Sequence, residues 1–369
     1  MTSPLPDAVP LSQVRRVLVT KLRHHGDVLL ASPVFTTLKR AAPHAEIDAL
    51  VYAETAPMLA NHPAVTLLHT IDREWKRAGA LTQITAEWKL LRALRARDYD
   101  LLVHLTEHPR GLTFARLLHP RYAVTRERPT RGALWRRQFT HFYKTPPRTP
   151  RHTVETNLDA LRRLGIYPEP GDKKLVLVPG AAAEANADAL LARHRLQHKN
   201  FVQVHPGSRW MFKCWPAARM AALLDRIVAQ GFAVAMTGAP DDRERALVAA
   251  ILAACGASTR ERIVDVCGQL ALPDLAALTA RARAFIGVDS APMHFAAAVG
   301  TPVVALFGPS GEATWGPWQV AHRVVASDAH PCRPCHLDGC GGGKVSDCLT
   351  TLGVDQVHAA FVALLAETT

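Results

Sequence analysis

No apolar run in the sequence reaches the ~18 residues that a helix needs to span a bilayer. The first ten residues, MTSPLPDAVP, also lack the basic start and the apolar stretch of a secretory signal peptide. Low-complexity tracts are missing, and no repeat is visible beyond a similarity of pattern between the two halves. We therefore expect a cytoplasmic protein that is at most peripheral to a membrane.

Acidic residues are scarce relative to basic ones. The chain has 32 Asp and Glu against 44 Lys and Arg, which gives a formal net charge of +12. Such an excess favours an anionic partner. The charge does not choose among a nucleic acid, a phosphorylated small molecule and an acidic membrane surface.

The pattern of apolar residues predicts two α/β domains in a chain of 369 residues. Short β-branched or Leu-rich runs alternate with helical patterns in the N-terminal half, and the alternation restarts at Phe201. Such alternation predicts crossover connections and parallel sheets. We place a linker near GIYPEPGDKK, and thus domains at 1–168 and 169–353. A final helix at 354–369 is expected to pack back on the N-terminal domain, with the ligand site in the cleft at the carboxyl ends of both sheets.

The stretch KLRHHGDVLL follows a buried-strand pattern at 16–20 and combines basic residues with a Gly-Asp pair. Gly26 permits a tight turn, and Asp27 is expected at the start of a helix that runs from Val28. A lone carboxylate at this position can accept a proton from a hydroxyl nucleophile. The competing role for Asp27 is N-capping of the same helix.

A second strand exit, GVDSAPMHFAAAVG at 287–300, passes through Asp289 and Ser290 into a helix with Pro292 in its first turn. Pro suits that position, and Ser290 is a plausible cap. The N–H groups at the start of the helix offer a binding site for a phosphate, to which His294 can add a donor. In the alternative interpretation, Asp289 is only a cap and His294 packs in the core.

Two further strand exits carry polar residues. HPGSRWMFKCWP at 205–216 has a Gly-Ser turn at Ser208 that lets the backbone approach an anion, and Lys213 supplies a positive charge for a diphosphate. TGAPDDRERA at 237–246 places two aspartates in the first turn of a helix. A carboxylate there either complements the helix dipole or accepts hydrogen bonds from ribose hydroxyls.

The segment 121–152 contains nine Lys or Arg and one acid, interleaved with Trp135, Phe139, Phe142 and Tyr143. It is either a solvated basic loop or an acceptor-binding surface for anionic sugars or lipid headgroups.

Four of the seven cysteines form the cluster C-x2-C-x4-C-x7-C near the C-terminus. Close thiol pairs around a Gly-rich interior are compatible with a tetrahedral structural Zn or Fe site. Reduced thiols or labile disulfides are the alternative. The candidate ligands are Cys332, Cys335, Cys340 and Cys348.

Taken together, the segments KLRHHGDVLLASP, HPGSRWMFKCWP, TGAPDD and GVDSAPMHFAAA closely resemble the ADP-heptose lipopolysaccharide heptosyltransferases, glycosyltransferase family nine. The resemblance covers nearly the whole chain. It implies the GT-B fold, in which two Rossmann-like domains face each other across a cleft. The acceptor then binds the N-terminal domain and the sugar nucleotide binds the C-terminal domain. KLRHHGDVLL and IDREWKR look most like the type that adds the third, branch heptose of the inner core.

The resemblance also implies roles for individual residues. The catalytic aspartate falls on Asp27, and Arg23, His25 and Gly26 are expected to contact the acceptor. The residues expected to bind the donor and its diphosphate lie at strand exits of the C-terminal half: Ser208, Lys213, Asp289, Ser290, Ala291 and His294. The acid that contacts the ribose falls on Asp242, although Asp241 is adjacent.

The implied reaction is an inverting transfer of heptose from ADP-heptose in one displacement, which requires no cofactor or metal for the transfer itself. The implied acceptor is the anionic lipopolysaccharide core on lipid A, at the inner face of the inner membrane, and no nucleic acid is expected as a partner. The alternatives are a first or second heptosyltransferase of the same family, a sugar-nucleotide epimerase with the same architecture, and a basic nucleic-acid-binding protein, for which the sequence offers no reading module.

Overall fold

The computed structural model describes residues 5–106, 108–128, 130–146 and 149–368. The chain divides into two compact units, Met1–Val178 and Pro179–Thr369. The boundary lies after Val178, whereas the sequence predicted it after residue 168. The intervening residues are held by the first unit: Arg40 donates a hydrogen bond to Asp172 at 2.7 Å, and the Val176 amide donates to the Ser32 hydroxyl at 3.0 Å.

The first unit contains a six-stranded parallel sheet in the order β3-β2-β1-β4-β5-β6. Its strands are β1 Arg16–Thr20, β2 Glu46–Tyr52, β3 Leu68–Ile71, β4 Leu101–His104, β5 Tyr122–Arg126 and β6 His141–Tyr143. Its α-helices are α1 His25–Leu29, α2 Ser32–Ala41, α3 Ala80–Ala96, α4 Arg110–Leu118, α5 Ala133–Arg136 and α6 Thr153–Arg162. Short 3₁₀ turns span Leu11–Gln13, Ala53–Met58, Arg73–Lys76 and Pro170–Lys173.

The second unit also contains a six-stranded parallel sheet, in the order β12-β11-β10-β7-β8-β9. Its strands are β7 Phe201–His205, β8 Ala233–Met236, β9 Ile263–Asp265, β10 Ala284–Val288, β11 Val303–Phe307 and β12 His322–Ala326. Its α-helices are α7 Ala181–His194, α8 Ala217–Ala229, α9 Asp242–Ala254, α10 Ala257–Arg260, α11 Leu272–Arg281, α12 Ala291–Ala298, α13 Glu312–Trp315, α14 Asp347–Thr350 and α15 Val354–Glu367. Its 3₁₀ turns span Met211–Lys213 and Cys340–Gly342.

Both sheets have the same topology, and the predicted α/β class with parallel sheets is confirmed. In each unit the first strand lies between the second and the fourth, so the strand order reverses beside β1 and β4 and beside β7 and β10. Strands β7, β10 and β11 are buried along their whole length, because helices cover both faces of the sheet. In open sheets of this kind, ligands bind outside the carboxyl ends of the strands at the point of reversal. The residues that follow β1, β4, β7 and β10 are therefore the first place to look for a site.

The final helix, α15, packs inside the second unit. It contacts α8 and the strands β11 and β12, and Val357, Phe361 and Leu364 belong to the core of this unit. The apolar face of α15 is thus used within the second unit, whereas the sequence hypothesis placed this helix on the N-terminal domain. No helix in the described ranges is long and apolar enough to cross a membrane.

The aromatic residues of the segment 121–152 contribute to the core of the first unit. Phe139 and Tyr143 are buried, and Trp135 and Phe142 pack against the cluster to which Phe139 belongs. The rings of Trp135, Phe139 and Phe142 contact one another in tilted or edge-on orientations at centroid distances of 5.2 to 6.2 Å. These aromatics thus contribute to the core of the first unit, and their part in an acceptor-binding surface stays a prediction. Alternation of basic and aromatic residues does not show which side chains turn inward.

Two buried histidines of the first unit make its stability dependent on pH. Burial lowers the pKa of His62 and of His104 to about 4, from an ordinary value near 6.5. As the pH falls, these two histidines therefore take up protons in the unfolded chain before they do so in the folded protein. The contribution of each histidine to the free energy of unfolding is fully present above pH 6.5. It is lost as the pH falls towards 4, by on the order of 3 kcal/mol per histidine. Urea unfolding measured across this range is expected to show the loss.

The matched variants are His62→Gln and His322→Gln. A glutamine at 62 keeps an acceptor for the Ala64 amide, which donates to His62 Nδ1 at 3.1 Å, and removes the titration. His322 is exposed and serves as the control. His62→Gln is expected to reduce the loss of stability at acid pH by about half, because His104 still contributes. An unchanged slope in this variant would assign the pH dependence to other groups.

Candidate active site

The residue Asp27 lies just beyond the carboxyl end of β1, at the point where the strand order of the first sheet reverses. Helix α1 begins at His25, earlier than the predicted Val28, and the N-cap position belongs to His24. Asp27 therefore occupies the first turn of the helix and not the N-cap position. The alternative role of this residue as an N-cap is wrong.

The carboxylate of Asp27 is only 12% exposed and has basic neighbours. Arg23 Nε lies 3.6 Å from Asp27 Oδ1, and the arginine side chain is half exposed. Lys21 is buried nearby: burial lowers the pKa of its ammonium group to about 8, and the charge of Asp27 acts in the opposite direction. The Asp27 carboxylate thus lies close to positive charge at the carboxyl edge of the sheet, a position that suits a group accepting a proton.

Asn157 on α6 fixes the segment that carries Asp27 at both ends. Its Oδ1 accepts a hydrogen bond from Lys21 Nζ at 3.0 Å, and its Nδ2 donates to the Leu30 carbonyl at 2.9 Å. Lys21 also donates to the Leu105 carbonyl, next to β4, at 3.2 Å. The sequence reasoning missed both Lys21 and Asn157. A lysine directly after a buried strand was the available signal for the first, and nothing local marked the second.

Of the residues predicted to contact the acceptor, His25 is tied to a neighbouring turn. Its Nε2 lies 2.9 Å from the Glu54 carbonyl oxygen in the turn Ala53–Met58. Gly26 follows it within α1, and Arg23 projects from the preceding loop. These positions place the three residues around Asp27, and their contact with an acceptor stays a prediction.

In the second unit, Lys213 and Asp289 come together at the carboxyl end of the sheet. Lys213 Nζ donates a hydrogen bond to Asp289 Oδ2 at 2.6 Å, and the Ser310 hydroxyl donates to the same oxygen at 2.5 Å. The carboxylate is nearly buried, whereas the lysine side chain is 20% exposed. Asp289 thus holds the ammonium group at a fixed position where it remains accessible. Ser310, which follows β11, was missed by the sequence reasoning.

Helix α12 begins directly after Asp289. Ser290 occupies the N-cap position but its side chain makes no capping hydrogen bond, so the prediction that it caps the helix is wrong. Its hydroxyl oxygen is buried and has no hydrogen-bond partner in the described part of the chain. Pro292 lies in the first turn as predicted, and His294 is buried one turn further on. The start of this helix, from Ser290 through Ala291, has the donors and the dipole that suit a phosphate.

The turn after β7 approaches α9 very closely. A Cβ atom on Gly207 would lie 2.3 Å from Glu244 Oε2, so a larger residue there would displace this carboxylate. Ser208 is buried, and its Oγ accepts a hydrogen bond from the Trp210 amide at 3.3 Å. Part of the hydrogen-bonding capacity of Ser208 is therefore used by its own loop, and its contact with a donor stays a prediction.

The buried acid of α9 is Glu244, which the sequence reasoning did not select. Asp241 caps the helix, and Asp242 follows it as an exposed residue of the first turn. Glu244 accepts a hydrogen bond from the Ala239 amide at 2.8 Å and lies 3.5 Å from His205 Nε2. Burial raises the pKa of Glu244, but the interaction with His205 and the hydrogen bond from the Ala239 amide together outweigh burial and hold this pKa below its usual range. Binding of a ribose by Asp242 stays a prediction.

The four clustered cysteines do not form the predicted metal site. Cys348 is buried, whereas Cys332 and Cys340 are exposed, and all the cysteines are free thiols. Across the described ranges, no group of three or more His, Cys, Asp or Glu side chains is arranged to hold a metal ion. The four cysteines are close in sequence, but their side chains differ in exposure to solvent. The structure therefore does not show the predicted Zn or Fe site at these residues and Cys335.

The model of glycosyltransferase family 9 (heptosyltransferase) matches residues 87–345 of the chain. A curated relative, lipopolysaccharide heptosyltransferase 3 of Escherichia coli, is 35% identical over 302 residues, which are 80% of this chain and 84% of the relative. The chain belongs to glycosyltransferase family 9. The predicted glycosyltransferase activity and heptose transfer of this family 9 enzyme are confirmed. The alternatives, an epimerase and a nucleic-acid-binding protein, are not supported.

Two solved structures show the same fold as the family 9 enzyme. A family 9 glycosyltransferase from Veillonella parvula superimposes with a TM-score of 0.81 at 24% identity and covers 98% of this chain and 99% of its own. The E. coli ADP-heptose lipopolysaccharide heptosyltransferase II gives a TM-score of 0.75 at 21% identity, with 96% and 99% coverage. Together with the two parallel six-stranded sheets, these similarities confirm the predicted GT-B fold.

Proposed function

We propose that this family 9 enzyme transfers heptose from ADP-heptose to a heptose of the lipopolysaccharide inner core, and that it is of the third, branch-adding type. The identity of 35% to a lipopolysaccharide heptosyltransferase 3 supports the choice of type. The similarity to an ADP-heptose-dependent structure supports the donor. The observation that carries the proposal is the pairing of Lys213 and Asp289 beside the start of α12, because this arrangement suits a departing diphosphate.

The second unit is the proposed donor site. Lys213, fixed by Asp289, supplies a positive charge to the diphosphate of ADP-heptose. The backbone N–H groups from Ser290 to His294 at the start of α12 add hydrogen bonds and the helix dipole. Fixed charges and dipoles stabilise the negative charge that develops on a leaving group without reorganisation. Asp242 is the proposed contact to the ribose, and Ser208 lies in the adjoining turn.

The first unit supplies the proposed base. The acceptor hydroxyl oxygen forms a bond to the anomeric carbon of the heptose, and the bond from that carbon to the β-phosphate oxygen breaks. The hydroxyl proton passes to Asp27, and ADP leaves with the electron pair of the broken bond. A single displacement inverts the configuration at the anomeric carbon. Arg23, His25 and Gly26 are the proposed acceptor contacts.

No cofactor takes part in the proposed transfer, because Lys213 and the start of α12 provide the positive charge that the leaving ADP needs. The proposed acceptor, the core oligosaccharide on lipid A, is strongly anionic, and the net charge of +12 complements it. We therefore propose that the enzyme acts in the cytoplasm, peripherally at the inner face of the inner membrane.

The test is an incubation with ADP-heptose and three core acceptors, which carry none, one or two heptoses. ADP release and the mass of the product are followed. The proposed function predicts heptosylation of the acceptor with two heptoses and no turnover of the other two. Turnover of the acceptor with none or one would instead identify a first or second heptosyltransferase. Absence of heptosylated product with every acceptor would reject the proposed donor and acceptor together.

A further inference from the structure

Helix α3 presents an apolar face to solvent. Leu81 is 83% exposed, Ile84 is 64% exposed and Trp88 is 58% exposed. Their spacing of three and four residues aligns them along one side of the helix. The opposite side anchors the helix, since Leu94 is fully buried and Leu90 packs against the core of the first unit. The exposed residues are therefore not needed to hold α3 in place.

Basic residues border this apolar face. Lys89 and Arg92 are exposed on the same helix, and the guanidinium carbon of Arg92 lies 5.6 Å from the centre of the Trp88 ring. The acids nearby are engaged in ion pairs with other basic residues: Glu87 with Arg110 at 3.0 Å and Glu74 with Arg77 at 2.7 Å. Exposed Leu, Ile and Trp side chains with a cationic border are the composition of helices that lie in the interface of anionic membranes.

The position of α3 in the first unit relates this face to Asp27. A helix that connects parallel strands begins near the carboxyl edge of the sheet, so the amino half of α3 lies towards the edge where Asp27 follows β1. A series of contacts links helix α1, which carries Asp27, to the turn that precedes α3. His25 bonds to the Glu54 carbonyl, and Glu54 Oε1 pairs with Arg73 Nη1 at 3.0 Å, in the turn that precedes α3.

We propose that the face formed by Leu81, Ile84 and Trp88 docks on the surface of an anionic lipid bilayer. The inference deepens the proposed function, on which it rests, by naming the surface that brings the enzyme to a membrane-anchored acceptor. The apolar side chains enter the headgroup region, and Lys89 and Arg92 pair with anionic headgroups. The basic border favours an anionic membrane over a second copy of this chain, because the basic residues of two facing copies would repel each other.

The experiment measures co-sedimentation of the full chain with phosphatidylcholine vesicles, with and without phosphatidylglycerol. The wild-type protein is expected to bind the vesicles that contain phosphatidylglycerol, and added salt is expected to weaken the binding. The variant Leu81→Gln/Ile84→Gln/Trp88→Gln is expected to lose at least about tenfold in affinity. Lys89→Gln/Arg92→Gln is expected to lose the preference for phosphatidylglycerol while it leaves the apolar face intact.

The matched control is Tyr167→Gln/Val362→Gln, which removes exposed apolar side chains at other places and is expected to bind as the wild type does. Wild-type affinity in the α3 variant would overturn the proposal, and so would an equal loss in the control. A wild-type dimer that the α3 variant converts to a monomer, without loss of vesicle binding, would assign the face to a second copy. Transfer to a lipid-free core oligosaccharide is expected to be unchanged in the α3 variant, and this assay tests the proposed function separately.

Discussion

The substitution Asp27→Asn is expected to reduce kcat for heptose transfer by about 10² to 10⁴-fold, the range that loss of a general base produces. The amide has nearly the same shape as the carboxylate but cannot take the proton from the acceptor hydroxyl. The affinity for ADP is expected to stay unchanged, because the proposed diphosphate contacts all belong to the second unit. Single-turnover measurement of ADP release and calorimetric titration with ADP give the two quantities.

The control for Asp27→Asn is Asp355→Asn. Asp355 also lies in the first turn of a helix, α15, where it pairs with Arg226. It therefore reproduces the loss of an acid that complements a helix dipole and of an ion pair with arginine. Normal kcat is expected in this variant. A small loss shared by both variants, with no larger effect at Asp27, would refute the assignment of Asp27 as the base.

The strand exits were predictable because the chemistry there departs sharply from the strands themselves. Asp289 directly follows a run of apolar residues, and Asp27 follows one after the short segment KLRHHG. A polar group placed just beyond a buried parallel strand has few positions other than the carboxyl edge of the sheet. The alternation of strands with helices had already indicated that the strands run parallel, so their carboxyl ends meet at one edge of the sheet. The resemblance to a family then added the roles, which spacing alone did not provide.

The contacts among distant segments were not predictable in the same way. Lys213 and Asp289 were each selected from separate motifs, but only the fold shows that they bind each other and that Ser310 also donates to Asp289. Glu244 was overlooked in favour of Asp242, since the position of an acid in a helical turn decides whether it turns towards the sheet. Burial, which distinguishes these two acids, depends on which side of α9 packs against the rest of the unit.

The exposure of the apolar face of α3 could not be predicted from the sequence for a related reason. Leu81, Ile84 and Trp88 fit the apolar pattern of a core helix, and a pattern of that kind predicts an apolar face without naming what covers it. In the structure, the core takes Leu90 and Leu94 from another side of the helix. The aromatics at 121–152 show the converse, because a segment that looked like a surface provides part of the core.

The second large effect is expected at Lys213. The substitution Lys213→Gln is expected to lower kcat/KM for ADP-heptose by about 10² to 10³-fold, the usual result of removing one fixed donor to a developing negative charge. The reduction is expected mainly in kcat, because the charge on the diphosphate grows as the bond to the heptose breaks. Lys344→Gln is the control, since Lys344 is a lysine of the same unit that also pairs with an aspartate.

A structural role of Lys213 can be separated from its proposed role in the reaction. Removal of the lysine alone leaves the nearly buried Asp289 carboxylate with the Ser310 hydroxyl and without its cation, which lowers the free energy of unfolding. The double variant Lys213→Gln/Asp289→Asn removes both charges and is expected to recover part of that stability, as measured by thermal unfolding. Activity is expected to remain low in the double variant. Recovery of kcat together with stability would show that Lys213 acts only by holding Asp289, and would remove it from the stabilisation of the leaving ADP.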